Sequence, residues 1–201
     1  RQRQMCIRDS INLTFESGNI YGLKGTNGCG KTMLMRAISG LILPTAGKVI
    51  IDGKEIGKDI SFPENMGLLL EYPSFINGYS GLKNLEMIAS IKNNISVDDV
   101  KACISRVGLD PDDKKSFRKY SLGMKQKLGI ACAIMENPEL LILDEPFNAL
   151  DEKGISIIKD IIEEFRDNGA IVIMSCHDKE LLCDISDVII DMYEGKVTNE
   201  S

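Results

Sequence analysis

Gly25-Thr26-Asn27-Gly28-Cys29-Gly30-Lys31-Thr32 fits the pattern G-x-x-x-x-G-K-[ST], and each fixed position in that pattern has a physical task. Glycines let the backbone close tightly around phosphate oxygens with its N–H groups pointing inward. A helix starting at Lys31 turns its positive N-terminus toward the same anion. Lys31 offers a cation to the outer phosphates, and the Thr32 hydroxyl is a hard oxygen ligand for Mg2+. Thr26, Asn27, Gly28, Cys29, Gly30 and Met33 complete the expected nucleotide contacts. Cys29 sits near the helix N-terminus, where thiolates are stabilised, so bound phosphate is expected to cover it.

The flanks agree with this reading. Ile20-Tyr21-Gly22-Leu23 reads as a buried strand entering the loop. The helix is expected from Lys31 to about Ser39, with Gly40 as its stop. Ile11, Leu13 and Phe15 alternate with polar residues as in a half-buried strand. Lys48–Asp52 predicts another strand, closed by Asp52-Gly53. Further on, Leu140–Leu143 is a continuous apolar run, the mark of a parallel strand covered on both faces. It ends in Asp144-Glu145-Pro146, and ligand sites of open α/β sheets lie at such carboxyl ends. Asp144 is positioned to hold Mg2+ and Glu145 to polarise an attacking water. Ile155–Phe165 predicts an amphipathic helix; Ile171–Met174 and Val188–Asp191 predict two more strands. The stretch between differs, with Leu85, Ile88, Ala89 and Ile91 at helical spacing. The prediction is an α/β P-loop nucleotide hydrolase with a mostly parallel sheet. Its nucleotide-binding core spans 11–72 and 138–201, and a helical subdomain is inserted over 73–137.

Composition narrows the partners. The net charge is −6 and no long basic run occurs, which argues against nucleic acid as a partner. No apolar stretch reaches the 18 residues that would suggest a membrane span. The six cysteines form no CxxC pair, so a reduced, cytoplasmic compartment is expected. Residues 1–10, RQRQMCIRDS, show no periodicity and no strand signal, and are expected to be a non-native or disordered segment. Met5–Ser10 resembles a translated sequencing adapter.

A phosphate loop with an acidic strand also suits kinases and GTPases; the residues between the two decide. Tyr120-Ser121-Leu122-Gly123-Met124-Lys125-Gln126 resembles the signature motif of ABC ATPases, usually L-S-G-G-Q. Asn148-Ala149-Leu150-Asp151 resembles their D-loop, and His177, the one histidine of the chain, their switch histidine. The resemblance runs from about Ile11 to the end. It implies a RecA-like core of ABC ATPase type that binds and hydrolyses ATP, with His177 sensing the γ-phosphate. It also implies that Ser121 and Gly123 touch the nucleotide of a second ATPase subunit, in a homo- or heterodimer. The expected setting is bacterial, peripheral on the inner face of the cell membrane, against a transmembrane permease subunit. Three departures stand out. Leu122 and Met124 replace Gly and Gln, a form similar to bacitracin and lantibiotic exporters. Glu71 stands where a Gln normally faces Mg2+, and a solvent-facing Glu is the alternative. The family's first strand and adenine-stacking aromatic are expected before Ile11 and are not recognisable there. The competing reading is a soluble ABC ATPase of DNA repair, cohesion or translation. Those generally carry a second cassette, long coiled-coil insertions or a basic surface; here one cassette has about 110 residues between Lys31 and Asp144.

Overall fold

The computed structural model describes residues 2–7, 11–71 and 73–200, the first of these by backbone only. In chain order the elements begin β1 (Gln2–Ile7), β2 (Ile11–Glu16), β3 (Asn19–Lys24), α1 (Lys31–Ile38), β4 (Gly47–Ile51), β5 (Lys54–Glu55) and β6 (Met66–Leu69). Three helices follow, α2 (Gly81–Lys92), α3 (Val97–Arg106) and α4 (Leu122–Ile134), with a 3-10 turn at Phe117–Lys119. The chain continues as β7 (Leu140–Leu143), α5 (Glu152–Asp167), β8 (Ile171–Ser175), α6 (Lys179–Ile185), β9 (Val188–Tyr193) and β10 (Lys196–Glu200).

A six-stranded sheet in the order β10-β9-β3-β8-β7-β6 carries the site, with every neighbouring pair parallel except the hairpin β9-β10. The two faces of its central strands feed different cores. Leu140, Ile142, Ile171 and Ile173 pack with α1 and with Ile11, Leu13, Phe15 and Val49 of a second, antiparallel sheet, β2-β1-β4-β5. Leu141, Leu143, Val172 and Met174 face the opposite way, among residues of α2 to α5. This two-sided burial is why β7 and β8 read as unbroken apolar runs.

Parallel order puts the carboxyl ends of β3, β7 and β8 on one edge. The phosphate loop leaves β3, Asp144-Glu145 leave β7, and Cys176-His177 leave β8.

The structure adds to the sequence reading at several places. Gln2–Ile7 is a strand, paired antiparallel with both β2 and β4, although the sequence there shows no strand signal. A ladder is made by backbone N–H and C=O groups, so pairing between two existing edges does not require apolar alternation. Positions 1 and 8–10 lie outside the described residues. Ile91, counted among the apolar positions of a helix, is 81% exposed, while Leu85 and Ala89 are buried. α2 is thus covered on a narrower stripe than its spacing implied. β6 was not anticipated because Gly67 interrupts its apolar run. A Cβ at Gly67 would stand 2.0 Å from the Ala133 carbonyl oxygen, so the glycine is what lets α4 approach the sheet. β10 was not anticipated either: it is a largely exposed edge strand.

Candidate functional site

The carboxyl edge of the sheet opens into a cleft of about 550 Å³ lined by Asn27, Gly28, Gly30, Lys31, Thr32, Met33, Glu71, Gln126, Asp144, Glu145, Asn148 and His177. The phosphate loop forms one wall. Gly28 and Gly30 have φ of 79° and 111°, left-handed values that only glycine adopts without strain. A Cβ at Gly25 would lie 2.4 Å from the Met192 carbonyl oxygen, so the start of the loop is pressed against β9. The Lys31 Nζ donates to the carbonyls of Gly25 (2.8 Å) and Thr26 (3.2 Å), tying the ends of the loop together beneath the cleft.

From Thr32, at the end of the loop, a hydrogen-bonded chain runs on to the exits of β7 and β8. The Thr32 hydroxyl donates to Asp144 Oδ2 at 2.7 Å, and the Ser175 hydroxyl donates to Asp144 Oδ1 at 2.6 Å. Ser175 Oγ accepts from the Glu145 backbone N–H at 3.1 Å. Both oxygens of Asp144 are therefore held by hydroxyls, which fixes the carboxylate beside Thr32. Glu145 has φ of 54°, an uncommon conformation for a non-glycine residue. The Gln126 amide donates to its carbonyl at 2.9 Å and to that of Pro146 at 3.2 Å, capturing the turned peptide. Glu145 Oε2 accepts from the His177 backbone N–H at 2.8 Å, and Oε1 stands 3.5 Å from His177 Nε2. Burial raises the Glu145 pKa above the usual carboxylate value, and the neighbouring His177 acts against that rise. Glu145 is thus held through its backbone by Ser175 and Gln126, and its side chain lines the cleft beside His177.

The expected site residues divide into two groups. Asn27, Gly28, Gly30, Lys31, Thr32, Met33, Glu71, Asp144, Glu145 and His177 converge on the cleft. Thr26 and Cys29 do not line it, nor do Ser121 and Gly123. Cys29 is 4% exposed, and its Sγ lies where a Cβ on Gly25 would meet it at 2.5 Å, with Lys31 Nζ 4.0 Å away. Burial by the protein already covers this thiol. Ser121 is exposed and caps α4, its hydroxyl accepting from Met124 N–H at 3.2 Å. Gly123 packs under the D-loop, where a Cβ would stand 2.6 Å from the Ala149 carbonyl oxygen. Glu71 lines the cleft but its Oε1 is paired with Arg36 at 2.5 Å. Gln126 and Asn148 stand in the signature and D-loop motifs but were given no place in the site from sequence, and neither was Ser175. A lone Ser at the end of a buried apolar strand, two residues before the histidine, was the available signal for Ser175.

For a divalent cation, the fitting donors are the Thr32 hydroxyl and the Asp144 carboxylate, hard oxygens already 2.7 Å apart. Among the described residues no three His, Cys, Asp or Glu side chains form a metal cage. This suits Mg2+, which usually keeps waters and phosphate oxygens and takes only one or two protein ligands.

A phosphate-binding loop facing paired carboxylates across such a cleft defines a P-loop nucleotide hydrolase. Residues 8–148 match the ABC transporter family. The chain is 45% identical to the uncharacterised ABC transporter ATP-binding protein YybJ of Bacillus subtilis, over 97% of this chain and 89% of that protein. It is 34% identical to the lantibiotic transport ATP-binding protein SrtF of Streptococcus pyogenes, over 96% and 83%. With the bacitracin transport ATP-binding protein BcrA of Enterococcus faecalis it shares 41% identity over 96% of this chain but only 64% of that protein. Among solved structures, an ATP-binding subunit of an ABC transporter superposes with a TM-score of 0.85 at 22% identity, covering 100% of this chain and 88% of the other. The chain belongs to the ABC transporter family and is an ATP-binding, ATP-hydrolysing subunit of it.

Proposed function

We propose that this ATPase works with Mg2+, as one of two ATPase subunits docked on a transmembrane permease at the inner face of the cell membrane, and drives export of a peptide antibiotic. The observation that carries the chemistry is the chain Thr32–Asp144–Ser175–Glu145–His177, which starts in the phosphate loop. In this reading the backbone of Gly28–Thr32 binds the phosphates and Lys31 exchanges its carbonyl partners for phosphate oxygens. Thr32 and Asp144 hold the cation, with Glu71 as a further oxygen donor. The cation that Thr32 and Asp144 would hold would supply neutralisation of the phosphate charge during hydrolysis. Glu145 orients the attacking water and draws its proton toward a carboxyl held by His177 N–H. The His177 ring, beside the same carboxyl, senses the terminal phosphate. Ser121 and Gly123, away from the cleft, serve the nucleotide of the second subunit. The functional division is a nucleotide core of 11–72 and 138–201 with a signature-bearing helical unit of 73–137.

The transport assignment is favoured over a non-transport ABC ATPase by the relatives' printed roles in bacitracin and lantibiotic transport. Among the described residues no helix is long and apolar enough to cross a membrane, so a membrane-spanning partner would supply the path. The test of the chemistry is Glu145→Gln, assayed with the membrane partner. ATP should still bind, while turnover falls by about 10²- to 10⁴-fold, the range of a lost general base. Near-normal turnover would sink the assignment.

A further inference from the structure

We infer that Arg36 is a positioning residue for Glu71: it holds the carboxylate at the rim of the cleft and competes with the divalent cation for it. The inference rests on the reading of Glu71 as a cation ligand. Two elements make the contact. α1 places Arg36 four residues after Thr32, one helical turn further along the same face. β6 runs parallel to β7, and Asp144 N–H donates to the Leu69 carbonyl at 2.7 Å, which brings the exit of β6 beside the exit of β7. Glu71 leaves that exit with φ of 59°, a left-handed backbone, and its carboxylate meets Arg36 of α1. The cleft wall thus presents Thr32, Asp144 and Glu71 together, with Arg36 drawing on the last of them at 2.5 Å.

The balance between the two holders follows from exposure. The Glu71 side chain is 63% exposed and that of Arg36 36% exposed, so their pairing is screened by water and weak. A divalent cation held by Thr32 and Asp144 would carry twice the charge of the guanidinium, so Glu71 could exchange one holder for the other at little cost. A neutral glutamine at position 71 would not be captured as a charge by Arg36. The pair therefore makes metal engagement a competition that a glutamine-bearing loop lacks, and Arg36 sets how readily Glu71 leaves.

The test is a double-mutant cycle read by nucleotide binding, without turnover. The affinity of a slowly hydrolysed, fluorescent ATP analogue is measured in EDTA and at saturating Mg2+. The ratio of the two dissociation constants reports the coupling of metal to nucleotide. Arg36→Ala should raise this ratio about two- to five-fold, the range of an exposed ion pair. Glu71→Ala, which removes the oxygen donor, should lower it, and Arg36→Ala added to Glu71→Ala should then change nothing. If Glu71→Ala lowers the ratio but Arg36→Ala leaves it unchanged, Glu71 remains a cation ligand and the role of Arg36 is overturned. An equal effect of Arg36→Ala in both backgrounds overturns it too, because Arg36 would then act on something other than Glu71. If Glu71→Ala itself has no effect on the ratio, the cation-ligand reading falls and the inference falls with it.

Discussion

Ser175 shows how one side chain can hold a site without touching its reactants. It is fully buried at the end of β8, donates to Asp144 and accepts from Glu145 N–H, two residues 31 and 30 positions away in the chain. Without its hydroxyl, Asp144 Oδ1 and the Glu145 N–H lose their partner in a buried setting. Leaving such groups unsatisfied costs about 1–3 kcal/mol. Ser175→Ala is therefore expected to lower the melting temperature by several degrees. It should reduce hydrolysis more than nucleotide affinity, because the phosphate loop is untouched while the carboxylates are loosened. Calorimetric ATP binding and turnover, measured side by side, check this. An equal loss in both would show that Ser175 supports the fold alone.

At the scale of elements, close approach decides what the site can be. α4 lies on β6 because Gly67 has no side chain, and α4 in turn delivers Gln126 to the Glu145 turn. Gly67→Ala would press a methyl group 2.0 Å from a helix carbonyl and 2.8 Å from Pro138 Cγ. Neither neighbour is the free end of a flexible side chain. Overpacking of this kind costs about 1–3 kcal/mol. The variant should unfold at lower urea concentration with an unchanged m-value. A wild-type midpoint would mean that α4 can ride outward freely. Gly123 works the same way at the other end of α4, letting the signature turn sit against the Ala149 carbonyl of the D-loop.

Across the whole molecule, the site is one-sided. Every group on the cleft comes from the carboxyl edge of the six-stranded sheet or from α1 and α4, whereas Ser121 and Leu122 face solvent away from it. If those residues serve a second subunit, the two faces must meet head to tail around nucleotide. Ser121→Arg in the Glu145→Gln background should then abolish ATP-driven dimerisation, followed by light scattering on a sizing column. Its affinity for ATP as a monomer should stay within about three-fold of its parent, since loss of the α4 cap costs only about 1 kcal/mol of helix stability. A dimer that still forms with Arg at this position would remove Ser121 from the interface.

The sequence by itself determined the parts whose physics is local. A strand running into Gly25–Thr32 and a helix starting at Lys31 need only neighbours in the chain. The apolar runs of β7 and β8 declare burial on both faces without reference to what covers them. From these the α/β class, the loop and the Asp144-Glu145 pair were legible, while His177 was reached only through the resemblance to ABC ATPases. Tertiary structure alone decided the rest. β6 is hidden in sequence because its glycine answers to a helix more than 50 residues later. Gln126 and Ser175 act on Glu145 from other elements, and no spacing rule reports a contact made across a sheet edge. Cys29 lies in the motif yet its side chain is buried, because the direction of a side chain in a tight loop is set by backbone turns that the residue pattern does not encode. Glu71 could be read only as an acid near the cation. Its partner, Arg36, became visible when folding placed the last turn of α1 beside the exit of β6.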